Sequence, residues 1–494
     1  MAGMKRLASV LSLCFLLIAL AACSTNPATG RSSFTAFMSP DEEVRVGGQE
    51  HPKLVQQFGG EYPDRELDAY VRKVGLSLSQ TTEMPNLPYS FTVLDDEMIN
   101  AFALPGGYVH VTRGLLALAS NEAEMAGVLA HELGHVTARH SAERYSQGVL
   151  AGIGATIVGV AGAAAGVPGV GDAAGYGAQA YLQSYSRDQE LEADRLGIRY
   201  MTNAGYDPAA MASFFRKLDA FAQLEATIAG DPGAADRFGV MASHPRTSDR
   251  VAQAIRLAKE AHVAEPKLGS DTYLSHIDGL VYGDSPAQGV RRDRDFYHPG
   301  LRITFRVPPG FVMFNSPQQV VARGPQKAVI AFDMESEGTA RSVRDMRSYV
   351  GETWGGRLNL QRVEAIDVNG MPAATAATRI NTNDGAMDLR LVAIRERPER
   401  IFRMIFLTPP SLTRQLSAEL QRTTYSFKRL TAAEAMAIKP LRVDVVTVRT
   451  GDTAESLAAR MPFDSYRLER FLALNGLGRG QEPLPGDKVK VIVE

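Results

Sequence analysis

The chain has 494 residues, of which 45% are hydrophobic and 22% are charged, and its formal net charge is −2. This length is enough for about three folding units, each with its own core. A net charge so close to zero gives no bulk electrostatic basis for binding nucleic acid, so we predict no nucleic-acid partner.

The amino terminus has the pattern of a secretory signal. Two basic residues, Lys5 and Arg6, precede an apolar run at residues 11–20, which is too short for an ordinary membrane span. The run ends in Leu-Ala-Ala-Cys, which resembles a bacterial lipobox. We therefore predict a lipoprotein signal peptide at residues 1–22.

In a lipobox the cysteine is diacylated and becomes the first residue of the mature chain, which predicts lipidation of Cys23. Ser24, in place of an aspartate, follows it and predicts sorting to the outer membrane. The other cysteine, Cys14, lies in the part removed, so the mature chain would form no internal disulfide. We expect a periplasmic protein that is tethered to a membrane by its lipid.

A short extended run precedes a turn in the first third of the chain. Residues 100–104 are followed by the turn signal Pro-Gly-Gly and by a second strand at residues 108–111. An ordinary hairpin is one interpretation. The other is an edge strand that binds an extended substrate peptide as an added strand. The residues that we assign to this substrate-binding strand are Asn100, Ala101, Phe102 and Ala103.

The segment that follows has the signals of an amphipathic helix. Asn121 or Ser120 can cap its start, and Glu124 stands three residues after Asn121, as in a capping box. Apolar residues then recur at helical spacing.

Two histidines and a glutamate within this helix form the pattern His-Glu-Leu-Gly-His. Histidines at positions i and i+4 share one face and can bind a single metal ion, and the glutamate can reach a water on that metal. This is the zinc-protease motif, with His131 and His135 as ligands and Glu132 as general base. Surface histidines are the alternative, but they fit poorly because this stretch is the most apolar of the segment.

A catalytic zinc needs a third protein ligand and keeps one position open for water. The next acidic cluster along the chain holds Glu190, Glu192 and Asp194. In a helix Glu190 and Asp194 share a face, whereas Glu192 lies about 200° around from Glu190. One face can therefore offer a ligand, for which we favour Glu190, and a carboxylate that accepts a hydrogen bond from a ligating histidine. We interpret Glu192 as solvated, with Arg187 and Arg195 in ion pairs.

Between the zinc-motif helix and this acidic cluster lies an uncharged run at residues 149–167 that approaches the length of a membrane span. Both parts of the metal site must lie on the same side of any membrane, and Pro168 with several glycines follows the run. We therefore favour a packed or interfacial helical hairpin near the active site over membrane insertion.

Four motifs thus follow one another in order and resemble the HtpX-like and CAAX-prenyl-protease-type gluzincins. The likeness is greatest to their soluble periplasmic branch, the BepA-like and LoiP-like lipoproteins, and it covers about residues 24–261. The motifs are Asn100-Ala101-Phe102-Ala103-Leu104-Pro105-Gly106-Gly107, the zinc helix ending in His140, the stretch from Glu190 to Asp194, and His244-Pro245-Arg246 with Arg250.

This resemblance implies one zinc ion held by His131, His135 and Glu190, with Glu132 as the base and Asp194 behind the ligands. It also implies that His244 and Arg250, from a later helix or loop, face the site and could stabilise the oxyanion. In some relatives the histidine that corresponds to His244 can instead cap the zinc and hold the enzyme latent.

Two further histidines, His110 and His140, lack ligand spacing to the zinc pair, and we interpret them as structural. We place the metallopeptidase domain at residues 23–265. The polar residues 266–297, rich in glycine, aspartate and serine, are predicted to form a linker.

Strand-like runs dominate residues 298–432, with helical segments at about residues 342–353 and 411–424. This pattern predicts an α+β sandwich that is weakly similar to the PsbP-like fold. We find no catalytic constellation in it and expect a role in docking or positioning.

The tail at residues 443–494 predicts the order strand, helix, helix, strand. It has Gly-Asp-Thr after the first strand, Asn-Gly after the second helix and Leu-Pro-Gly-Asp before the last strand. This βααβ pattern resembles a LysM module, which binds glycans that contain N-acetylglucosamine. Peptidoglycan is therefore a candidate partner, and a LysM-shaped cap that binds no glycan is the alternative.

These observations predict a multidomain protein with a mainly α-helical α+β gluzincin domain, an α+β sandwich and a small βααβ domain. The expected function is that of a zinc-dependent endopeptidase that cleaves misfolded or misassembled envelope or outer-membrane proteins. The alternative is a largely latent assembly factor or chaperone, or a scaffold anchored to peptidoglycan. The intact Glu132 argues against a purely structural role.

Overall fold

The structure is a computed structural model that describes residues 23–35, 37–147, 185–229, 244, 248–382 and 385–494. The predicted signal peptide and the uncharged run at residues 149–167 lie outside these ranges. Among the helices within them, none has both the length and the apolar content needed to cross a bilayer.

The helices and strands are numbered here in chain order. The helices are α1 (Pro40–Gln57), α2 (Arg65–Ser79), α3 (Arg113–Leu118), α4 (Glu122–Thr137), α5 (Arg187–Asn203), α6 (Ala209–Ala229), α7 (Ser248–Glu260), α8 (Ser270–Ile277), α9 (Glu337–Ser342), α10 (Met346–Ser348), α11 (Pro410–Ser426), α12 (Ala432–Ala437), α13 (Ala454–Ala458) and α14 (Arg467–Asn475). The strands are β1 (Cys23–Thr25), β2 (Ser32–Phe34), β3 (Ser90–Leu94), β4 (Ala101–Leu104), β5 (Tyr108–Thr112), β6 (Val281–Tyr282), β7 (Val290–Arg292), β8 (Asp295–His298), β9 (Ile303–Arg306), β10 (Val312–Asn315), β11 (Val320–Arg323), β12 (Val329–Met334), β13 (Gln361–Val368), β14 (Met371–Thr382), β15 (Gly385–Arg397), β16 (Arg400–Thr408), β17 (Lys428–Arg429), β18 (Leu441–Thr447) and β19 (Lys488–Val493).

The described residues divide into two compact units. The first comprises Gly60–Tyr282 and Arg442–Glu494 together with the described part of Met1–Gln56, and the second comprises Gln57–Gly59 and Gly283–Leu441. The division differs from the predicted domain borders, because the carboxyl-terminal segment belongs to the same unit as the zinc-motif helix.

The segment predicted as a linker contains regular structure. It holds α8, β6, β7 and most of β8. Tyr273 and Ile277 on α8 are fully buried, and the Tyr273 hydroxyl donates a hydrogen bond to the carbonyl of Leu116 at 2.6 Å. The polar composition of this segment conceals these few apolar anchors, which is why it was interpreted as a connection.

In the first unit, the central helix is α4, which carries the zinc motif. Every residue of α4 except Val128 is buried. Two glycines let α4 and α5 approach closely. A Cβ atom at Gly134 would lie 2.9 Å from the carbonyl oxygen of Ala193, and one at Gly197 would lie 3.0 Å from the backbone nitrogen of His131. Larger residues at either position would push the two helices apart, and with them the side chains that face each other.

A three-stranded sheet lies beside this helix pair, in the order β3-β5-β4. The strands β4 and β5 form the predicted hairpin, and β4 is at an edge of this sheet. The turn between them contains Gly106 with φ +80°, where a Cβ atom would also lie 2.5 Å from the Cα of Val44. Only glycine fits there without strain.

The second unit is built on a seven-stranded sheet in the order β10-β11-β12-β16-β15-β14-β13. The helix α11 contributes Leu412, Leu416 and Leu420, spaced by four residues on one helical face, to a core that includes one side of the sheet. Met346 and Tyr349 belong to a second core that contains other residues of β14 and β15. The multidomain α+β class is as predicted.

The carboxyl-terminal segment has the predicted order β18, α13, α14, β19, and β6 extends its sheet in the order β19-β18-β6. Its fully buried Lys490 donates hydrogen bonds at 2.7, 2.8 and 2.6 Å to the carbonyls of Ala117, Leu118 and Ala119 at the end of α3. These are carbonyls that a helix end leaves without partners. The segment is thus packed into the first unit, and its likeness to a LysM module stays a prediction.

Candidate metal centre and active site

The start of α4 is fixed by the predicted caps. The Asn121 side chain accepts a hydrogen bond from the Glu124 backbone nitrogen, and the Glu124 carboxylate accepts one from the Ser120 backbone nitrogen, each at 2.8 Å. A buried ion pair of 2.7 Å between Lys217 and Glu124 ties this end to α6. The helix that carries the motif is therefore held at its first turn by two hydrogen bonds and an ion pair.

Four buried side chains meet where α4 faces α5. One ligand atom from each of His131, His135, Glu190 and His244 lies within 4.8 Å of the others, as a metal-binding group requires. The Nε2 atoms of the two motif histidines are 3.0 Å apart, and His244 Nδ1 lies 2.9 Å from Glu190 Oε1 and 3.3 Å from His131 Nε2. Imidazole and carboxylate donors in this number are typical of a zinc site.

The outer nitrogens of the motif histidines are already engaged. His131 Nδ1 lies 2.9 Å from Asp194 Oδ1, and His135 Nδ1 lies 2.9 Å from His140 Nδ1. Burial, reinforced by neighbouring histidines, lowers the pKa of His135 well below its usual value, so this ring is neutral, as a metal ligand must be. Both rings therefore present Nε2 to the centre of the group, and the residues fit a metal ion.

Arg250 lies behind the ligands and holds two of the carboxylates. Its Nε and Nη2 each lie 2.7 Å from an oxygen of Asp194, and its Nη1 lies 2.7 Å from Glu190 Oε2. Burial would raise the pKa of Asp194, but the Arg250 guanidinium and His131 together lower it to about 2. Burial would also raise the pKa of Glu190, but His244 and Arg250 lower it below the usual value.

The predicted role of Arg250 as an oxyanion donor stays a prediction, and its observed contacts give it a positioning role. All three of its nitrogens face carboxylates on α5, so Arg250 positions the ligand and its neighbour. His244, by contrast, lies among the donor atoms themselves.

Glu132 is buried beside the same group. Its exposed fraction is 2%, its Oε1 lies 3.5 Å from His244 Nε2, and its Oε2 has no hydrogen-bond partner among the described residues. A buried carboxylate oxygen of this kind is available to accept a proton from a water or substrate group.

Sequence reasoning missed the role of His140. Its Nε2 lies 3.2 Å from Glu192 Oε2, so a carboxylate, His140 and the ligand His135 form a chain of contacts. Arg139 has a positive φ of 57° just after α4 ends, and the reversal of the chain there brings His140 next to the motif. A histidine five residues after the second motif histidine, past a helix end, was the only signal.

The interpretation of Glu192 as solvated was wrong. This residue is 8% exposed and faces His140, with Arg31 at 3.8 Å, while Arg187 pairs with Asp249 instead. The face of α5 that carries Glu192 is covered by the chain that follows α4. The periodicity of α5 alone cannot reveal this contact.

We expect His140→Ala to lower the affinity for zinc by about 10–100-fold, as is usual when the partner of a ligating histidine is lost. His140→Asn keeps a polar atom near His135 and should fall between. Competition with a chromophoric chelator measures this, and His262→Ala, at an exposed histidine, is the control. Equal zinc affinity in all four chains would show that His140 has no part in the site.

The predicted substrate strand lies next to these groups. β4 pairs only with β5 among the described strands, and Ala101 lines the same cavity as Glu132 and His244. Asn100 lies just before β4 and is held to Thr112 at 3.0 Å. Cys23 begins β1, which pairs with β2, whereas Pro245 and Arg246 of the fourth motif are outside the described ranges.

Comparison with known proteins places this site in a family. The model of peptidase family M48 matches residues 65–258. The chain is 34% identical over 200 residues to the beta-barrel assembly-enhancing protease of Yersinia pestis, covering 38% of this chain and 40% of that one. For the protein of the same name from Escherichia coli (strain K12) the identity is 28% over 262 residues, covering 51% and 50%. The chain thus spans at most about half the length of these relatives.

The mitochondrial metalloendopeptidase OMA1 of Schizosaccharomyces pombe is 31% identical over 247 residues, which cover 48% of this chain and 67% of that one. Among solved structures, cyanobacterial PsbP from Synechocystis has a TM-score of 0.24 at 14% identity, covering 30% of this chain and 98% of that one. A TM-score this low does not establish a shared fold, so the PsbP likeness stays a prediction. The family match and the similarity to these proteases show that the chain belongs to peptidase family M48, whose members depend on a metal ion.

Proposed function

We propose that this chain is a zinc-dependent endopeptidase that cleaves misfolded or misassembled proteins of the bacterial cell envelope. The observation that carries the proposal is the buried group of His131, His135 and Glu190. Beside it lies Glu132, whose Oε2 has no hydrogen-bond partner in the described part of the chain. Family membership supports a metallopeptidase, and the donor set supports zinc as the metal.

The residues divide the chemical work between them. Zinc, when bound, polarises the scissile carbonyl and lowers the pKa of the attacking water. Glu132 takes the proton from that water and delivers it to the leaving amine. Asp194 and His140 hold the ligating rings by their outer nitrogens, and Arg250 fixes the carboxylates of Asp194 and Glu190.

An unfolded polypeptide suits the substrate side of the site. β4 is the last strand of its sheet in the described part of the chain, and an extended peptide added there would be bound through main-chain hydrogen bonds with little dependence on sequence. Relatives named for enhancing β-barrel assembly direct the proposal to outer-membrane proteins as substrates.

A second candidate is a largely latent assembly factor or scaffold, with the tail attached to peptidoglycan. The position of His244 among the donor atoms favours latency. Complementation of a deletion strain distinguishes the two candidates. An envelope defect that the wild-type chain rescues and Glu132→Gln does not rescue supports the peptidase. Full rescue by Glu132→Gln would support the assembly factor.

We expect a lipid on Cys23 to be the membrane tether, because Leu-Ala-Ala-Cys at residues 20–23 has the lipobox pattern. Cys23→Ala should abolish incorporation of a labelled fatty acid and move the chain to the soluble periplasm. Cys14→Ala, in the predicted signal peptide, is the matched control and should change neither. If Cys23→Ala stays with the membrane without incorporating the label, residues 149–167 become the candidate for membrane attachment.

A further inference from the structure

We infer that the carboxyl-terminal segment, Arg442–Glu494, sets the spacing between α4 and α6, and that Lys490 is a positioning residue for the reaction. The inference rests on the proposed peptidase function and deepens it. α4 and α6 both line the cavity beside Glu132, so their spacing decides the room around the catalytic base. The segment lies outside residues 65–258, which the family model matches, so the family pattern does not predict this role.

The first contact fixes the junction between α3 and α4. The ammonium group of Lys490 has three N–H donors, and each points to a different backbone carbonyl. The carbonyls are those of Ala117, Leu118 and Ala119, at 2.7, 2.8 and 2.6 Å. They stand at the end of α3, just before α4 begins at Glu122. Because all three donors are used, the buried ammonium cannot shift without losing a hydrogen bond, and that loss is costly in the interior.

The second contact joins the start of α4 to α6 through Glu124. One oxygen of this carboxylate accepts a hydrogen bond from the Ser213 hydroxyl at 2.6 Å, and the other lies 2.7 Å from Lys217 Nζ. Lys217 also donates a hydrogen bond to the hydroxyl of Ser120, between α3 and α4. Two buried lysines thus hold the same junction, one from α6 and one, Lys490, from β19.

The end of α14 connects the two lysines. The side chain of Asn475, the last residue of α14, accepts a hydrogen bond from the Lys490 backbone nitrogen at 2.7 Å and donates one to its carbonyl at 2.9 Å. Gly476 follows with φ +68°, and a Cβ atom there would lie 2.4 Å from Lys217 Cε. α14 therefore packs directly on the Lys217 side chain while it holds the backbone of Lys490.

α6 carries these contacts to the catalytic cavity. Leu218 follows Lys217 directly and lines the same cavity as Glu132. A second link, of 3.6 Å between Arg470 Nη1 and Glu225 Oε1, ties α14 to α6 two turns further along. The carboxyl-terminal segment thus holds α6 at two places and the start of α4 at one.

We expect Lys490→Met to lower kcat by about 10-fold or more, since a displacement of about 1 Å far from the reacting atoms can cost about 10²-fold in rate. Methionine has a similar length but donates no hydrogen bond, so three buried carbonyls lose their partner and the junction can shift. Zinc should stay bound, because α4 and α5 pack directly on each other. KM should stay the same, because an extended peptide binds along β4.

The test measures kcat and KM per zinc-loaded molecule of the full-length chain, on a pool of unstructured peptides. Each variant is also made in the His244→Ala chain, so that a closed metal site cannot hide a change. Lys488→Met is the matched control, because Lys488 lies on the same strand and pairs at the surface with Asp271 at 2.9 Å. It should leave kcat and KM as in wild type.

Arg470→Met is a second variant that leaves the buried junction intact. The Arg470 side chain is partly exposed, so the fold should tolerate the change. We expect a smaller fall in kcat, of about 2–5-fold, from the loss of one ion pair. If Lys490→Met does not fold, this variant decides the question.

Unchanged kcat per zinc-loaded molecule, even with a lower thermal stability, would show that the segment only stabilises the fold and would overturn the inference. The peptidase proposal would then stand, because wild type still cleaves. If neither wild type nor His244→Ala cleaves any peptide, the proposed function itself fails, and the inference with it.

Discussion

Replacing Glu132 with glutamine should leave about one zinc per chain and lower the proteolysis of unfolded proteins by at least 10²–10⁴-fold, the usual contribution of a general base. Glutamine has nearly the same shape as glutamate, so it disturbs the buried packing little, but it cannot take a proton from water. Glu132 is also not among the ligand residues, and its Oε2 has no partner that would be lost in the described structure. Atomic emission measures whether zinc is retained, and cleavage of an unfolded protein measures whether proteolysis is lost. Glu455→Gln, at an exposed glutamate on α13, is the control.

The ligand variants should behave in the opposite way. Removing His131, His135 or Glu190 by alanine is expected to lower zinc occupancy, because each supplies one donor to the buried group. Loss of Glu190 also leaves Arg250 without one of its carboxylates, so the thermal stability of the metal-free chain should be measured beside it. Full zinc retention in Glu190→Ala would contradict the assignment of Glu190 as a ligand.

Local periodicity was enough to predict the parts of the site that lie on a single helix. The shared face of His131 and His135, and that of Glu190 and Asp194, follow from 3.6 residues per turn. The caps at Asn121 and Glu124 follow from short-range hydrogen bonding. These features depend on a few neighbouring residues, so the sequence contains all that determines them.

The parts that were missed depend on which surfaces meet. His140 reaches His135 only because the chain reverses at Arg139, and a positive φ at an arginine has no sequence signal. The apolar anchors of α8 are too few to outweigh its polar neighbours. Lys490, on β19, is fully buried against the carbonyls that end α3, whereas a lysine in sequence suggests an exposed strand position.

The role of His244 is the second point on which the function depends, and we expect His244→Ala to raise proteolysis. His244 Nδ1 lies 2.9 Å from Glu190 Oε1 and 3.3 Å from His131 Nε2, within the donor group. Four protein donors fill the tetrahedral preference of zinc and leave no position for water. If this closed arrangement holds about nine-tenths of the molecules, its removal should raise activity about tenfold.

An oxyanion donor would give the opposite pair of results. Such a group acts on the substrate and not on the cation, so its loss should lower activity by about 10²–10³-fold and leave zinc affinity unchanged. A fourth ligand predicts higher proteolysis together with weaker zinc binding, since one donor is removed. His262→Ala, at an exposed histidine just after α7, controls for the general effect of losing an imidazole. Lower proteolysis by His244→Ala at unchanged zinc content would contradict the latch. In that case the envelope would need another means of restraining a peptidase that accepts many unfolded chains.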